Sequence, residues 1–120
     1  MQKTYSNFEQ GSIVVADIFF SDQTTLKRRP LLVISNSKRN ETSEDVLVVK
    51  ITSSEKKMEF DIPLTSAELE KGSLKKESFI RVDFTATLHK SLLTVPIGKI
   101  TQQKLLSTSF SLWLLPFFGF

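Results

Sequence analysis

Three short apolar runs in the first half of the chain limit most strongly what it can fold into. Each run is rich in β-branched or aromatic residues and is flanked by polar turn-formers or charges, which is typical of β-strands. These runs cover Ile13–Phe20, Leu31–Ser35 and Val46–Thr52, and weaker strand patterns follow at Glu59–Leu64, Ser78–Asp83 and Leu93–Ile97. Their spacing predicts a meandering antiparallel sheet.

Two helices are predicted beside this sheet. Thr65 and Glu68 form a capping-box pattern and Gly72 suits a helix terminator, so a short helix is expected over Ser66–Lys71. A second helix is expected after Thr101, and its apolar residues at helical spacing are Leu105, Leu106, Leu112 and Trp113. Strands first and the longer helix last favour a mainly β (α+β) fold, a small curled sheet or barrel with one short helix and a C-terminal helix.

The composition predicts one globular domain over residues 1–120. The chain is 40% hydrophobic and 24% charged, far from the composition of disordered chains. A domain of this length buries roughly 65% of its extended-chain surface, enough for one core but not also for a large cofactor cavity. Because the chain has no cysteine, disulfides, thiolate nucleophiles and Cys-based metal sites are excluded.

The sequence lacks the residues for a histidine pair, a phosphate-binding loop or a metal site. His89 is the only histidine, which excludes a pair of imidazoles within one chain and fits a surface turn. The four glycines form no phosphate-binding loop, and no Asp, Glu and His spacing resembles a metal-ligand set. We therefore expect neither a cofactor nor a metal.

The two ends of the chain favour a cytoplasmic protein. Residues Met1–Gln10 lack the apolar run of a secretory signal. The segment Leu112–Phe120 is strongly apolar, but it is too short to cross about 30 Å of hydrocarbon and is broken by Pro116 and Gly119. We expect it to pack on the core or across a dimer interface.

A basic run lies directly before an apolar strand. Lys27, Arg28 and Arg29 precede Pro30, and a proline-locked strand start makes this run the best candidate for contacting phosphates. This run and three other basic pairs all fall in predicted loops. For the three pairs, we keep the usual interpretation of a charge run as a solvated face. These pairs are Lys38/Arg39, Lys56/Lys57 and Lys75/Lys76.

Two further polar clusters occur where strands are predicted to end. Hydroxyls follow one another at Thr52, Ser53 and Ser54, which indicates either turn chemistry or a site. Arg81 and Asp83 are two residues apart, so both side chains lie on one face of their strand. That pair is either an ion pair or part of a functional site.

A set of motifs extends over much of the chain. They are FEQGSIV from Phe8, FFSD from Phe19, RRPLLVISN from Arg28, ITS from Ile51, EKGSL from Glu70, SFIRVD from Ser78 and IGKI from Ile97. In this order they resemble the PemK/MazF toxin family, over residues 8–106. The resemblance implies a small SH3-like β-barrel, usually a homodimer. It also implies a toxin that cleaves single-stranded RNA without a metal and is blocked by a small antitoxin.

The resemblance also implies roles for individual residues. Arg29, Thr52, Arg81 and Asp83 match the family's active-site positions. A carboxylate is ionised at neutral pH, so we interpret Asp83 as the general base for a ribose 2′-hydroxyl. Because a guanidinium releases its proton poorly, we interpret Arg29 and Arg81 as stabilising phosphoryl charge, with Thr52 donating a hydrogen bond. Substrate contacts are expected from Lys27, Arg28, Ser53 and Ser54.

Some positions differ from the family pattern and leave two other interpretations open. The segment Ser21–Arg28 has no His, Ala86 stands where many members have Arg, and the end of the chain is less charged than usual. These differences favour a non-catalytic member of the same fold, either a gyrase-inhibitor-like protein or a degenerate RNA- or partner-binding module. The third interpretation is a small barrel with only structural interactions.

Overall fold

A single curled antiparallel sheet carries most of the molecule. The computed structural model describes residues 8–18, 26–53 and 56–114. The strands are β1 (Ser12–Ile18), β2 (Lys27–Val33), β3 (Asp45–Thr52), β4 (Asp61–Leu64), β5 (Leu69–Lys71), β6 (Ser78–His89) and β7 (Gly98–Ile100). They lie in the order β4-β6-β3-β2-β1-β7-β5. The sheet with its two helices, α1 (Ser37–Thr42) and α2 (Gln102–Leu114), confirms the predicted fold class.

The sheet has an apolar core on each face. One cluster includes Leu32, Val49 and Ile80, and Leu105 and Leu112 of α2 pack against it. The other face carries a second cluster, which includes the fully buried residues Phe8, Leu31, Val33, Val46 and Val48. Because adjacent residues of a strand point to opposite faces, the apolar runs of β2 and β3 supply both clusters. Each fully buried side chain of this kind contributes about 1.5–3 kcal/mol.

An irregularity in the pairing of β3 with β6 bends the sheet. Val49 pairs with Thr85, but the next residue of β3, Lys50, pairs with Arg81. The three intervening residues of β6 are therefore extra, and such bulges bend a strand and increase its twist. Beyond the bulge, the first part of β6 pairs with β3 on one side and with β4 on the other.

The predicted helix over Ser66–Lys71 is wrong in its second half. The capping box of Thr65 and Glu68 is present, but it begins only a 3₁₀ turn, Ser66–Glu68. The chain then extends into β5, where Leu69 pairs with Ile100 of β7. Tertiary pairing therefore ends the helix after one turn.

Two other predictions differ at the ends of strands. The strand expected at Leu93–Ile97 is wrong, because the strand of this region is Gly98–Ile100. A 3₁₀ turn, Lys90–Leu92, precedes it, and His89 caps that turn through its side chain. The strand expected at Ser78–Asp83 continues to His89, since its second half pairs with the beginning of β3.

Helix α1 was not predicted, although its signals are local. The side chain of Asn36 accepts a hydrogen bond from the amide of Lys38 at 2.8 Å and thereby caps the helix. Asn40 is fully buried, donates to the carbonyl of Phe8 at 2.8 Å, and accepts from the hydroxyl of Ser35 at 2.6 Å. Because the helix is short and polar, its pattern lacks apolar periodicity.

Helix α2 confirms the helix predicted after Thr101. Leu105 and Leu112 pack on the core as expected, but Leu106 is 62% exposed and belongs to the outer face. The side chain of Trp113 and the predicted packing of residues 115–120 lie outside the described residues. In the described ranges, no helix has the length and apolar character to cross a membrane.

Gly72 and Gly11 separate the effect of a steric clash from the effect of backbone conformation. Both glycines have positive φ, +85° at Gly72 and +93° at Gly11. A Cβ at Gly72 would lie 2.8 Å from the carbonyl oxygen of Ile97, whereas one at Gly11 would meet only side chains, Ile100 at 3.4 Å and Leu105 at 3.7 Å. We expect Gly11→Ala to lower the free energy of unfolding by about 1–2 kcal/mol through its φ alone. Gly72→Ala should lower the free energy of unfolding clearly more, as measured by urea denaturation. Equal losses for the two variants would contradict the predicted clash at Gly72.

Candidate nucleic-acid groove

A groove of about 800 Å³ crosses the sheet where β2, β3 and β6 lie side by side. Its described lining is rich in cations and hydroxyls. The cations are Arg29, Lys50, Lys75, Lys76 and Arg81, and the hydroxyl-bearing residues are Thr52, Ser53, Ser73 and Ser78. Such a concave, basic surface suits an extended polyanion.

Strand register explains why these residues meet. Lys50 of β3 pairs with Leu31 of β2 on one side and with Arg81 of β6 on the other. Continued by two residues, the register of β2 and β3 sets Arg29 opposite Thr52. Since residues two apart share a face, all these polar side chains lie on the face of the second apolar cluster.

Arg81 is held by a buried carboxylate on β4. Asp61 pairs with Arg81 in the register, and its side chain is fully buried. Nε of Arg81 donates to Oδ1 of Asp61 at 3.1 Å, and Nη2 donates to Oδ2 at 2.9 Å. Oδ2 also accepts from the amide of Met58 at 2.8 Å. This bidentate ion pair fixes the plane of the guanidinium at the groove wall.

The pKa values of this pair follow from the same contacts. Burial alone would raise the pKa of Asp61, but the hydrogen bonds from Arg81 and from the amide of Met58 outweigh it, so the pKa is lowered. The hydrogen bonds to Asp61 raise the pKa of Arg81, against the effect of burial. Asp61 is therefore a carboxylate at neutral pH, and Arg81 stays a cation.

Asp83 is on the same strand but outside the groove lining. Its side chain is exposed, two residues beyond Arg81 and within the bulge of β6. Among the described residues, the ion pair of Arg81 is with Asp61 and not with Asp83. The charge of Asp83 still contributes to the raised pKa of Arg81.

The other predicted substrate contacts are distributed unevenly. Ser53 lines the groove beside Thr52, whereas Ser54 lies outside the described residues. Lys27 and Arg28 are exposed residues of β2 and do not belong to the described lining. Their prediction as loop residues is wrong, because both pair with β1. Arg28 faces Asp17 across the strands, with 3.9 Å between the charged atoms.

Sequence reasoning missed Lys50, Asp61 and the groove role of Lys75 and Lys76. Lys50 had a signal, since it interrupts the apolar run of β3 with a charge. Asp61 had none, because its partner is 20 residues away and only the register of β4 with β6 reveals it. The pair Lys75/Lys76 was interpreted as a solvated face, but both residues line the groove.

Potential metal ligands are sparse in the part of the chain that the structure describes. No group of three or more His, Asp or Glu side chains there could hold a metal ion. His89 lies at the far end of β6, opposite Asp45, where its Nδ1 is 2.8 Å from the hydroxyl of Ser91.

Solved structures share this fold. An endoribonuclease from a mycobacterial species superposes with a TM-score of 0.71 at 19% identity, covering 93% of each chain. A mycobacterial endoribonuclease in complex with its cognate antitoxin has a TM-score of 0.70 at 19% identity, covering 88% of this chain and 91% of the other. A MazE–MazF complex from Deinococcus radiodurans has a TM-score of 0.66 at 18% identity, with 89% and 92% covered.

Comparison by sequence is more specific about the family. No curated protein matches this sequence significantly. The family model described as the PemK-like, MazF-like toxin of type II toxin-antitoxin systems matches residues 9–109. This range includes every strand of the sheet and each residue of the groove named above. The chain therefore belongs to the PemK-like, MazF-like family of toxins of type II toxin-antitoxin systems.

Proposed function

We propose that this chain is an endoribonuclease toxin that cuts single-stranded RNA in the groove without a metal ion. One observation carries the proposal: the register gathers Arg29, Thr52 and Arg81 on one face of a basic groove in a member of this toxin family. The structural neighbours named as endoribonucleases support the same activity.

The proposed reaction is attack of a ribose 2′-hydroxyl on the adjacent phosphorus. Negative charge grows on the phosphoryl oxygens in this step, and fixed cations in a partly dehydrated groove stabilise it. Arg29 and Arg81 supply that charge, and Thr52 donates a hydrogen bond. Arg81 suits this role because Asp61 holds its guanidinium in place. The products are a 2′,3′-cyclic phosphate and a 5′-hydroxyl.

Asp83 is the proposed general base. Its side chain is exposed, two residues from the groove residue Arg81 on the same strand, and a bound RNA strand is proposed to bring its ribose toward it. Catalytic contacts often tighten only when the substrate is bound, so a carboxylate at the rim is a suitable acceptor for the 2′-hydroxyl proton.

The rest of the basic surface is proposed to guide the RNA strand. Lys75 and Lys76 line the groove with Arg29 and are proposed to contact backbone phosphates on either side of the cut. Ser53 extends the polar lining. Ser54, Lys27 and Arg28 are proposed as further contacts to the strand. A single strand fits because its backbone can follow the groove while its bases remain free to stack.

Its partners and location follow from the family. We propose a homodimer in the cytoplasm, where messenger RNA is available, and a small antitoxin whose disordered segment covers the groove. One structural neighbour is an endoribonuclease in complex with its cognate antitoxin, and another is a MazE–MazF complex. A chain with acidic residues would neutralise the cations that otherwise bind phosphates.

The activity is tested with a mixed-sequence single-stranded RNA in excess EDTA. We expect site-specific cuts that end in cyclic phosphate, because the cations of the groove replace a metal ion. Arg29→Ala should reduce the rate by about 100-fold or more, since it removes charge from the transition state. Mapping both product ends by mass spectrometry provides the measurement.

Lys38→Ala is the matched control, because this exposed cation of α1 lies away from the groove. It should cut like the wild type. Intact RNA with folded, nuclease-free wild-type protein would refute the ribonuclease and favour the non-catalytic binder. Unchanged cleavage by Asp83→Asn would refute the assignment of the base.

Asp61→Asn tests whether the buried carboxylate positions Arg81. An amide offers one acceptor in place of two, so we expect kcat to fall about 10- to 100-fold through a misplaced guanidinium. At neutral pH the free energy of unfolding should fall by about 2–4 kcal/mol, because a buried charge pair is broken. Both changes are measured on the same protein, by RNA cleavage and by urea denaturation.

The stability loss should depend on pH. Since the pKa of Asp61 is lowered in the folded state, its contribution is present above its ordinary value near 4 and disappears as pH falls through the folded-state value. The difference between wild type and Asp61→Asn should therefore shrink in acid. Asp17→Asn, which removes an exposed 3.9 Å ion pair, should change stability little at any pH. A pH-independent difference for Asp61→Asn would contradict this account.

A further inference from the structure

Lys50 occupies an unusual place in the middle of the groove floor. It is the one charged residue within Val46–Thr52 of β3, and the neighbours Val49 and Ile51 are buried in the core. Its strand partners are Leu31 on β2 and Arg81 on β6. Lysine inside an apolar strand is unfavourable for the sheet alone, which suggests a function for the amine.

The side chain of Lys50 is partly buried, and its amine lies near an aromatic ring. Its Nζ lies 5.5 Å from the ring centroid of Phe84, which is one of the extra residues of the β6 bulge. The attraction between an ammonium and a ring face restricts where the amine can move. Lys50 therefore lies on the strand between those that carry Arg29 and Arg81, with its amine held beside Phe84.

The proposed cleavage needs a proton donor that these arginines cannot provide. When the bond from phosphorus to the 5′-oxygen breaks, that oxygen leaves as an alkoxide unless it receives a proton. A guanidinium retains its protons, and the hydrogen bonds of Arg81 to Asp61 raise its pKa further. His89 is no alternative, because it lies five strand residues away from Lys50, roughly 16 Å.

We propose that Lys50 is a further catalytic residue, the general acid that protonates the leaving 5′-oxygen. This inference rests on the proposed ribonuclease function. In the step, the 2′-oxygen gives its proton to Asp83 and forms a bond to phosphorus. The bond from phosphorus to the 5′-oxygen breaks, and that oxygen takes a proton from Nζ of Lys50. The amine regains a proton from water, and Asp83 returns its proton to water.

Lys50 fits this role better than the other lysines of the groove. Lys75 and Lys76 are exposed on the loop between β5 and β6, whereas Lys50 lies on the rigid floor beside Arg81. An ammonium exchanges its proton much more readily than a guanidinium. Sites on strands also hold a reacting group more accurately than sites on loops.

The test compares two leaving groups. An RNA oligonucleotide carries either the normal oxygen or a sulfur at the bridging 5′ position of the cut that the wild type makes. A thiolate leaves without a proton, since thiols are far stronger acids than alcohols. We expect Lys50→Met to lower kcat on the oxygen substrate by about 100-fold or more, and to cut the sulfur substrate within a few-fold of the wild type.

Lys50→Arg separates charge from proton donation. Arginine retains the positive charge but releases its proton poorly. We therefore expect Lys50→Arg to cut the oxygen substrate as slowly as Lys50→Met does, and the sulfur substrate as fast as the wild type does. Equal slowing on both substrates, or a Lys50→Arg rate near that of the wild type on oxygen, would refute the general acid. Thermal unfolding of each variant verifies that it is folded.

Cleavage by the wild type distinguishes the role of Lys50 from the ribonuclease function itself. If the wild type cuts the RNA and Lys50→Met cuts it equally well, only the inference is refuted. If the wild type cuts neither substrate, the ribonuclease function is refuted and the inference with it. Lys38→Met, a change far from the groove, should behave as the wild type throughout.

Discussion

The pairing of β3 with β6 sets the geometry on which the groove depends. Between Val49 and Lys50, the partner strand advances by three extra residues, so the two strands separate and pair again with a sharper bend. Beyond that bend, Lys50 lies beside Arg81, and Arg81 lies beside Asp61 of β4. Regular pairing throughout would place Arg81 elsewhere along β3, away from Lys50. The curvature that closes the half-barrel thus also assembles the polar site.

Collecting several cations on one face has an electrostatic consequence. Like charges repel, so the groove lining destabilises the free protein and gains most from a polyanion. Within the described residues, Asp61 offsets part of this repulsion from its place beside Arg81, where its side chain is fully shielded from water. The ion pair holds the guanidinium of Arg81 in place, and Arg29, Lys50, Lys75 and Lys76 complete the cationic lining of the groove. Binding to such a surface weakens with added salt, because the cations release the counterions of the nucleic acid.

The sequence predicted the fold class and most strands, because β-branched runs such as Val46–Thr52 have a strong local signal. The predicted secondary structure was wrong where pairing with a distant strand determines it. Leu69–Lys71 pairs with β7 as a strand, although a capping box precedes it. For the site, Arg29, Thr52 and Arg81 were predicted through a family resemblance, and the structure brings them to one groove. Asp61 could not be predicted, since its role depends on a partner 20 residues away and on the register between two strands.

The proposed cleavage requires the scissile phosphate of a single RNA strand to lie in this groove. A crystal structure of the protein with an RNA oligonucleotide that carries a 2′-deoxyribose at the mapped cut would test it most directly, because the missing hydroxyl prevents cleavage. The account predicts that the phosphate at that position lies within hydrogen-bonding distance of Arg29, Thr52 and Arg81. A strand bound on another face of the sheet, with the groove empty, would contradict it.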